Sequence, residues 1–205
     1  MHSRKSRFAA LVVFVLSLAL GPLVKSVGSE ADASRRVTHA PGETLSLNPS
    51  ISGDGRRIAF ESNSNLAGGL GPSAFQLFGV DVEDIVTASL SFERLAASRA
   101  PAPALSQDGM RAAFASKDDP VGRNRDGNSE IFYLDSGGLQ QLTETLPDDT
   151  AARAGHGSFQ PSISDDGELV AFSSNRDLTG ANSDRSFEVF TFDRRARKLT
   201  QLTDT

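Results

Sequence analysis

Two short stretches of this sequence set oxygen-bearing side chains at every second position: Asn124, Asp126, Asn128 and Glu130, and then Asn182, Asp184, Ser186 and Glu188. With Gly127 allowing a sharp turn, such a loop could wrap a hard cation such as calcium, which takes six to eight oxygens. The glycine is out of place for a calcium-binding EF-hand loop, and chelating carboxylates are few. A polar turn held by side-chain to backbone hydrogen bonds uses the same residues. At the aligned positions of an earlier copy of the unit, Leu70, Pro72, Ala74 and Gln76, the pattern is missing. Calcium is the one cofactor these residues suggest.

The remaining reactive types do not assemble into a catalytic set. Paired carboxylates occur at Asp118-Asp119, Asp148-Asp149 and Asp165-Asp166, but neighbours on a strand point to opposite faces and rarely share a proton. His156-Gly157-Ser158 places a base near a hydroxyl without triad geometry, His39 stands alone, and Gly-x-Ser-x-Gly is absent. Gly68-Gly69-Leu70-Gly71 lacks the strand-to-helix setting of a phosphate cradle. Cysteine is absent from all 205 residues, which excludes disulfides, thiolate metal sites and a cysteine nucleophile. The chain is expected not to be an enzyme.

The elements that must carry these loops are announced by a repeat. One phrase recurs three times, as Pro49 to Phe60, Pro103 to Phe114 and Pro161 to Phe172, each reading Pro-x-x-Ser-x-Asp-Gly and ending in Ala-Phe. Proline without a donor suits the start of a strand. Asp-Gly at 54–55, 108–109 and 166–167 predicts hairpin turns, since glycine accepts positive φ without strain. Beyond the turn, Ile58 and Phe60, Ala112 and Phe114, and Val170 and Phe172 share one face, with Ala59, Ala113 and Ala171 on the other. Large residues on one face and methyl groups on the other predict a sheet stacked between two neighbours.

A nearly continuous apolar third strand follows, Leu77 to Val80, Ile131 to Leu134 and Val189 to Phe192, each closed by an aspartate at 81, 135 or 193. A more polar fourth strand holds Arg94-Leu95-Ala96, Gln141-Leu142-Thr143 or Gln201-Leu202-Thr203, which suits an outer edge. No segment from 34 to 205 carries a convincing helical period. The expected fold is all-β, with β-propeller blades of four antiparallel strands and three repeats present as an open or partial propeller.

The first 33 residues differ from the rest. Arg4, Lys5 and Arg7 precede an apolar run from Phe8 to Leu20, and Ala31-Asp32-Ala33 supplies small residues for cleavage. This is the pattern of a signal peptide; an apolar run interrupted at Gly21-Pro22 is short for a membrane anchor. The expected location is periplasmic or secreted, with no span left after cleavage. Removing 1–33 leaves 17 basic and 24 acidic residues, a formal charge of −7. The one basic cluster, Arg194, Arg195, Arg197 and Lys198, is short, so nucleic-acid binding is not expected.

Pro-Ser-x-Ser-x-Asp-Gly with Ala-Phe, then an apolar strand ending in Asp, then Leu-Thr, resembles the propeller repeat of the TolB family across 36–205. The resemblance implies a six-bladed ring and a periplasmic protein whose partners are other proteins. Such propellers also resemble the gating domain of prolyl-oligopeptidase-like serine peptidases, in which a hydrolase domain follows the blades; a calcium- or glycan-binding propeller is the further alternative.

The expected organisation is a signal peptide at 1–33, a leading outer strand and linker at 34–48, and blades at 49–102, 103–160 and 161–205. Arg36-Val37-Thr38 aligns with Gln141-Leu142-Thr143, so the leading strand reads as a lone fourth strand. Three blades in an open stack leave two end faces of about 500 Å² each, or about 12 kcal/mol of unrealised burial at the usual coefficient. Faces of that kind seldom stay bare. The chain therefore reads as a piece of a longer propeller, as half of a ring closed by self-association, or as a monomeric arc with capped ends.

Overall fold

In a computed structural model, the described residues are 36–38, 43–68, 74–87, 91–145 and 155–205. The chain divides into two units, Met1–Arg35 and Arg36–Thr205, and every described residue belongs to the second. The signal-type segment, His39, Gly69 to Pro72 and Asp148-Asp149 lie outside the described residues.

Among the described residues, twelve strands form three antiparallel sheets, each in sequence order. The first holds β1 (Ser46–Ile51), β2 (Arg57–Ser62), β3 (Gln76–Asp81) and β4 (Glu93–Ala96). The second holds β5 (Ala104–Leu105), β6 (Ala112–Ser116), β7 (Glu130–Asp135) and β8 (Gly138–Gln141). The third holds β9 (Ser158–Ile163), β10 (Leu169–Ser174), β11 (Glu188–Asp193) and β12 (Lys198–Gln201). These are three blades of a β-propeller, not closed into a ring.

The Ser-x-Asp-Gly turns explain the repeated phrase. In the first, Ser52 Oγ donates to Asp54 Oδ1 at 2.7 Å and accepts the Arg57 N–H at 2.9 Å, while Asp54 Oδ1 accepts the Arg56 N–H. Ser106 with Asp108 and Ser164 with Asp166 repeat the arrangement. These bonds hold the carboxyls of Asp54, Asp108 and Asp166 below the ordinary aspartate range, the serine hydroxyl contributing most. The turns also join one another: Asp54 N–H donates to Gln107 O and Gln107 N–H to Asp165 O, both at 2.9 Å.

Alternation along the second and third strands builds the core between sheets. Ala59 and Leu77 of the first sheet meet Phe114 and Phe132 of the second. Ala113, Ala115, Ile131 and Tyr133 of the second meet Val170, Phe172 and Phe190 of the third. The ring pairs Phe114–Phe132 and Phe172–Phe190 stack at 5.6 and 5.9 Å. Each phenylalanine hidden this way contributes about 1.5–3 kcal/mol, and small alanines opposite let the sheets approach.

Four details differ from the sequence reading. The prolines do not open their strands in the first and third sheets: β1 and β9 begin three residues earlier, and Pro49 and Pro161 sit at β-bulges. The residue before each proline, Asn48, Ala102 or Gln160, is left-handed with φ of 54°, 51° and 51°. An innermost edge strand tolerates both the bulge and the missing donor. Second, a short helix, α1 (Val82–Thr87), follows β3. Six residues are too few to show a helical period, yet they bring Ile85 onto Phe60, Phe78 and Val80.

Third, Leu142 and Leu202 lie just past β8 and β12, although their N–H groups still donate to Ile131 O and Val189 O at 2.7 Å. Fourth, 36–38 belongs to no strand; Val37 instead packs against Phe60, Phe78 and Val80.

Candidate functional site

In the second and third blades, the loop joining the second to the third strand is built around one asparagine. In the second blade Asn124 is buried, its amide group donating to Asp118 O at 3.1 Å and Asn128 O at 2.9 Å. Its N–H donates to Asp119 Oδ1 at 2.7 Å. In the third blade Asn182 does the same, with Asp177 Oδ1 at 3.0 Å, Arg176 O at 3.4 Å and Ser186 O at 2.9 Å. Gly127 turns the first loop at φ 67°; Arg185 holds the same place in the second at φ 63°. An Asp five residues ahead of the Asn is the signal for this loop, and it was visible in the sequence.

The two glutamates bond chiefly to the threonines that follow the fourth strands. Glu130 is buried and accepts the hydroxyls of Thr143 and Thr145 and the Thr145 N–H at 2.8 Å. Glu188 accepts the hydroxyls of Thr203, Thr205 and Ser186 and the Thr205 N–H at 2.8 Å. The first threonine of each pair also accepts a strand N–H, from Ile131 or Val189, at 2.9 Å. A Glu at the start of the third strand thus pins a Thr-x-Thr after the fourth. Gln76 with Ala96 and Ser98 stands at these positions in the first blade, so both halves of the pattern change together.

Of the eight residues proposed for calcium, Asp126 accepts the Asn128 amide at 2.9 Å. Asp184 accepts the Ser186 N–H at 3.2 Å and hydroxyl at 3.0 Å. Asn128 also donates to Thr145 O at 3.1 Å. The carboxylates of Glu130 and Glu188 thus face hydroxyl and amide donors. The Oδ1 atoms of Asn124 and Asn128 are buried without a protein partner. Among the described residues, no three His, Cys, Asp or Glu side chains gather in one group.

The other singled-out residues are also placed by hydrogen bonds. Ser158 is buried, with its hydroxyl on Ser174 Oγ at 3.1 Å. Asp118 accepts the Arg99 N–H at 2.7 Å, and Asp119 belongs to the Asn124 loop. A pair that sequence reasoning missed is buried Glu61 with Arg99, bonded at 2.7 and 3.2 Å, where Glu61 also takes the Ala100 N–H and the Asn48 amide. Arg99 lies over the Phe75 ring at 4.2 Å. The bond to Glu61 raises the Arg99 pKa further. Its partners are 38 residues apart, a distance no local pattern spans.

On the side of the Ser-x-Asp-Gly turns a cleft of about 450 Å³ is lined by Arg57, Arg94, Arg111, Arg194, Asp108 and Asp135. Its charges are largely matched: Arg57 with Asp81 and Glu93, Arg111 with Asp108, and Arg194 with Asp135 at 2.9 Å. Arg194 also lies 3.5 Å over the Tyr133 ring. Burial pushes the Tyr133 hydroxyl up, and its proton goes to Gly167 O at 3.1 Å.

No protein-family model matches the chain, and no curated protein sequence matches it. Its fold is found in solved structures. An oligogalacturonate lyase from Vibrio parahaemolyticus aligns over 80% of this chain and 40% of its own, with 17% identity and a TM-score of 0.52. TolB from Acinetobacter baumannii aligns over 78% and 32%, with 18% identity and a TM-score of 0.47. The β-propeller domain of the Trilobed protease from Pyrococcus furiosus aligns over 78% and 43%, with 12% identity and a TM-score of 0.46. At such identities the likeness is one of fold. The chain spans about a third to two fifths of the length of these structures.

Proposed function

We propose that this chain is an extracytoplasmic β-propeller module of the TolB type that contributes three blades to a larger ring, binds other proteins, and catalyses no reaction. The observation that carries this reading is Phe187, 59% exposed on the loop entering β11. Its ring lies 6.1 Å from that of half-buried Phe159, and the loop behind it is fixed by Asn182. A large aromatic held out from a rigid sheet is the form a protein-binding anchor takes.

Immobilised protein is expected to retain a specific protein from an extracytoplasmic extract, and Phe187→Ser to lose most of it. Binding unchanged by that substitution, or turnover of a peptide or glycan by the purified protein, overturns the reading. A second reading, calcium held at 124–130, is favoured by the unpartnered Oδ1 atoms of Asn124 and Asn128. Titration calorimetry with calcium chloride supports it by a saturable heat that Asn124→Ala removes; no heat ends it.

A further inference from the structure

Entry into the second blade departs from the repeat. A serine pair clasps the start of each blade: Ser46 with Ser62, Ser98 with Ser116, and Ser158 with Ser174. In the first and third blades the leading serine stands three residues ahead of the proline, whereas Ser98 stands five ahead of Pro103. The two extra residues are Arg99 and Ala100, and the inner strand that follows, β5, has two residues where β1 and β9 have six. A cavity of about 530 Å³ lies here, with Pro101, Ala102, Ala115 and Phe159 as its apolar walls. All its walls lie between Arg99 and Gln160, inside the chain.

Arg99 lines this cavity in a fixed pose. Its Nε and Nη2 donate to fully buried Glu61, and its Cζ lies 4.2 Å over the Phe75 ring. A guanidinium carries five N–H donors in a rigid fork. Glu61 takes one edge of it; the free edge, Nη1 with the outer hydrogen of Nη2, donates to no described residue, and the side chain is 48% exposed. Lys117 and Gln160 also line the cavity, and neither side chain bonds to a described residue. The other polar groups are engaged. Asp118 accepts the Arg99 N–H at 2.7 Å, and the hydroxyls of Ser116 and Ser129 are taken up by Ser98 and by Ser158 O.

We propose that this cavity binds the carboxyl end of a polypeptide whose last side chain is apolar. The terminal carboxylate pairs with the free edge of Arg99 and with Lys117, the last side chain fills the space between Ala102, Ala115 and Phe159, and the Gln160 amide takes a main-chain group of the segment. Charge complementarity selects this occupant: an apolar pocket with one preset two-pronged donor and one nearby cation matches a single carboxylate on an apolar body. Asp118 beside them repels a second negative charge, which disfavours a phosphate. The unpartnered Gln160 amide favours a chain end over a small free acid. The inference rests on the reading of the chain as a protein-binding module and names the part of the partner that is recognised.

Titration calorimetry on the purified full chain, with the tripeptide acetyl-alanyl-alanyl-leucine as probe, is expected to show one saturable site with a Kd below about 1 mM. The carboxamide of the same tripeptide is expected to bind at least about tenfold more weakly, since it lacks the charge-assisted pair. Arg99→Lys keeps a cation beside Glu61 but has no fork, and Lys117→Ala changes an exposed side chain. Each is expected to weaken binding of the acid at least about fivefold and to leave the carboxamide unchanged. Should Arg99→Lys fail to fold, Lys117→Ala and the acid-to-amide comparison decide. No saturable heat, equal binding of acid and carboxamide, or an affinity indifferent to the substitutions overturns the proposal. N-acetyl-leucine binding as tightly as the tripeptide overturns the chain end as the source. These titrations use no extract and leave Phe187 intact, so they fail independently of the capture experiment.

Discussion

Glu130 and Glu188 occupy the same place in successive blades, accept bonds from the same threonine pair, and are both hidden at their own surface. Their acidities nevertheless move in opposite directions. Burial pushes the Glu130 carboxyl up, against the hydrogen bonds of Thr143 and Thr145. At Glu188 the bonds of Thr203, Thr205 and Ser186 prevail and draw it down to about 2. Two differences set them apart: the second sheet lies between two others whereas the third has a bare far side, and Glu188 accepts the Ser186 hydroxyl as well. Similar local chemistry thus gives different ionisation according to what covers the sheet and to one further hydroxyl donor, Ser186, at Glu188.

The largest effect separating the two sheets is expected in the core. Ile131→Ala should cost about 3 kcal/mol, since it opens a cavity between sheets, whereas Val189→Ala at the equivalent exposed position should cost less than about 1 kcal/mol. Urea unfolding of both variants checks this; equal costs would mean that the third sheet is covered in solution.

A smaller effect is expected at the matched loop turns. Gly127→Ala forces a Cβ into left-handed backbone and should cost about 1 kcal/mol, while Arg185→Gly should gain up to about 1 kcal/mol by relieving the same strain. Thermal unfolding should show the two shifts with opposite signs.

The last is a difference in slope. A carboxyl lowered on folding contributes stability that is complete above the unfolded value near 4.5 and is lost as pH falls towards about 2. A raised carboxyl does the reverse: the stability present below 4.5 is lost as pH rises through the folded value. Glu188→Gln should therefore flatten the acid limb of the stability profile, and Glu130→Gln should flatten a decline above pH 4.5. Matching slopes for the two variants would show that cover does not set these acidities.

The repeat made much of this fold legible. Asp-Gly marked the hairpins, and alternating Phe and Ala named the faces that meet in the clusters around Phe132 and Phe190. The candidate loops were legible as polar turns, but the roles within them were not. Asn124 is the support of its loop, and Glu130 turns inward to Thr143 and Thr145. Helix α1 was too short to betray a period. The left-handed residues ahead of Pro49, Pro103 and Pro161 left no mark in residue type, since Asn, Ala and Gln share no preference that would announce them.

The sequence by itself determined the strand order, the turns and the side of each strand that is apolar, because these follow from residues within a few positions of one another. Only the tertiary structure decided which glutamate is deep, which arginine lies on which ring, and which apolar face stays open. Those depend on a neighbouring sheet some fifty residues away in the repeat, whose presence changes the solvent around a side chain without changing the side chain.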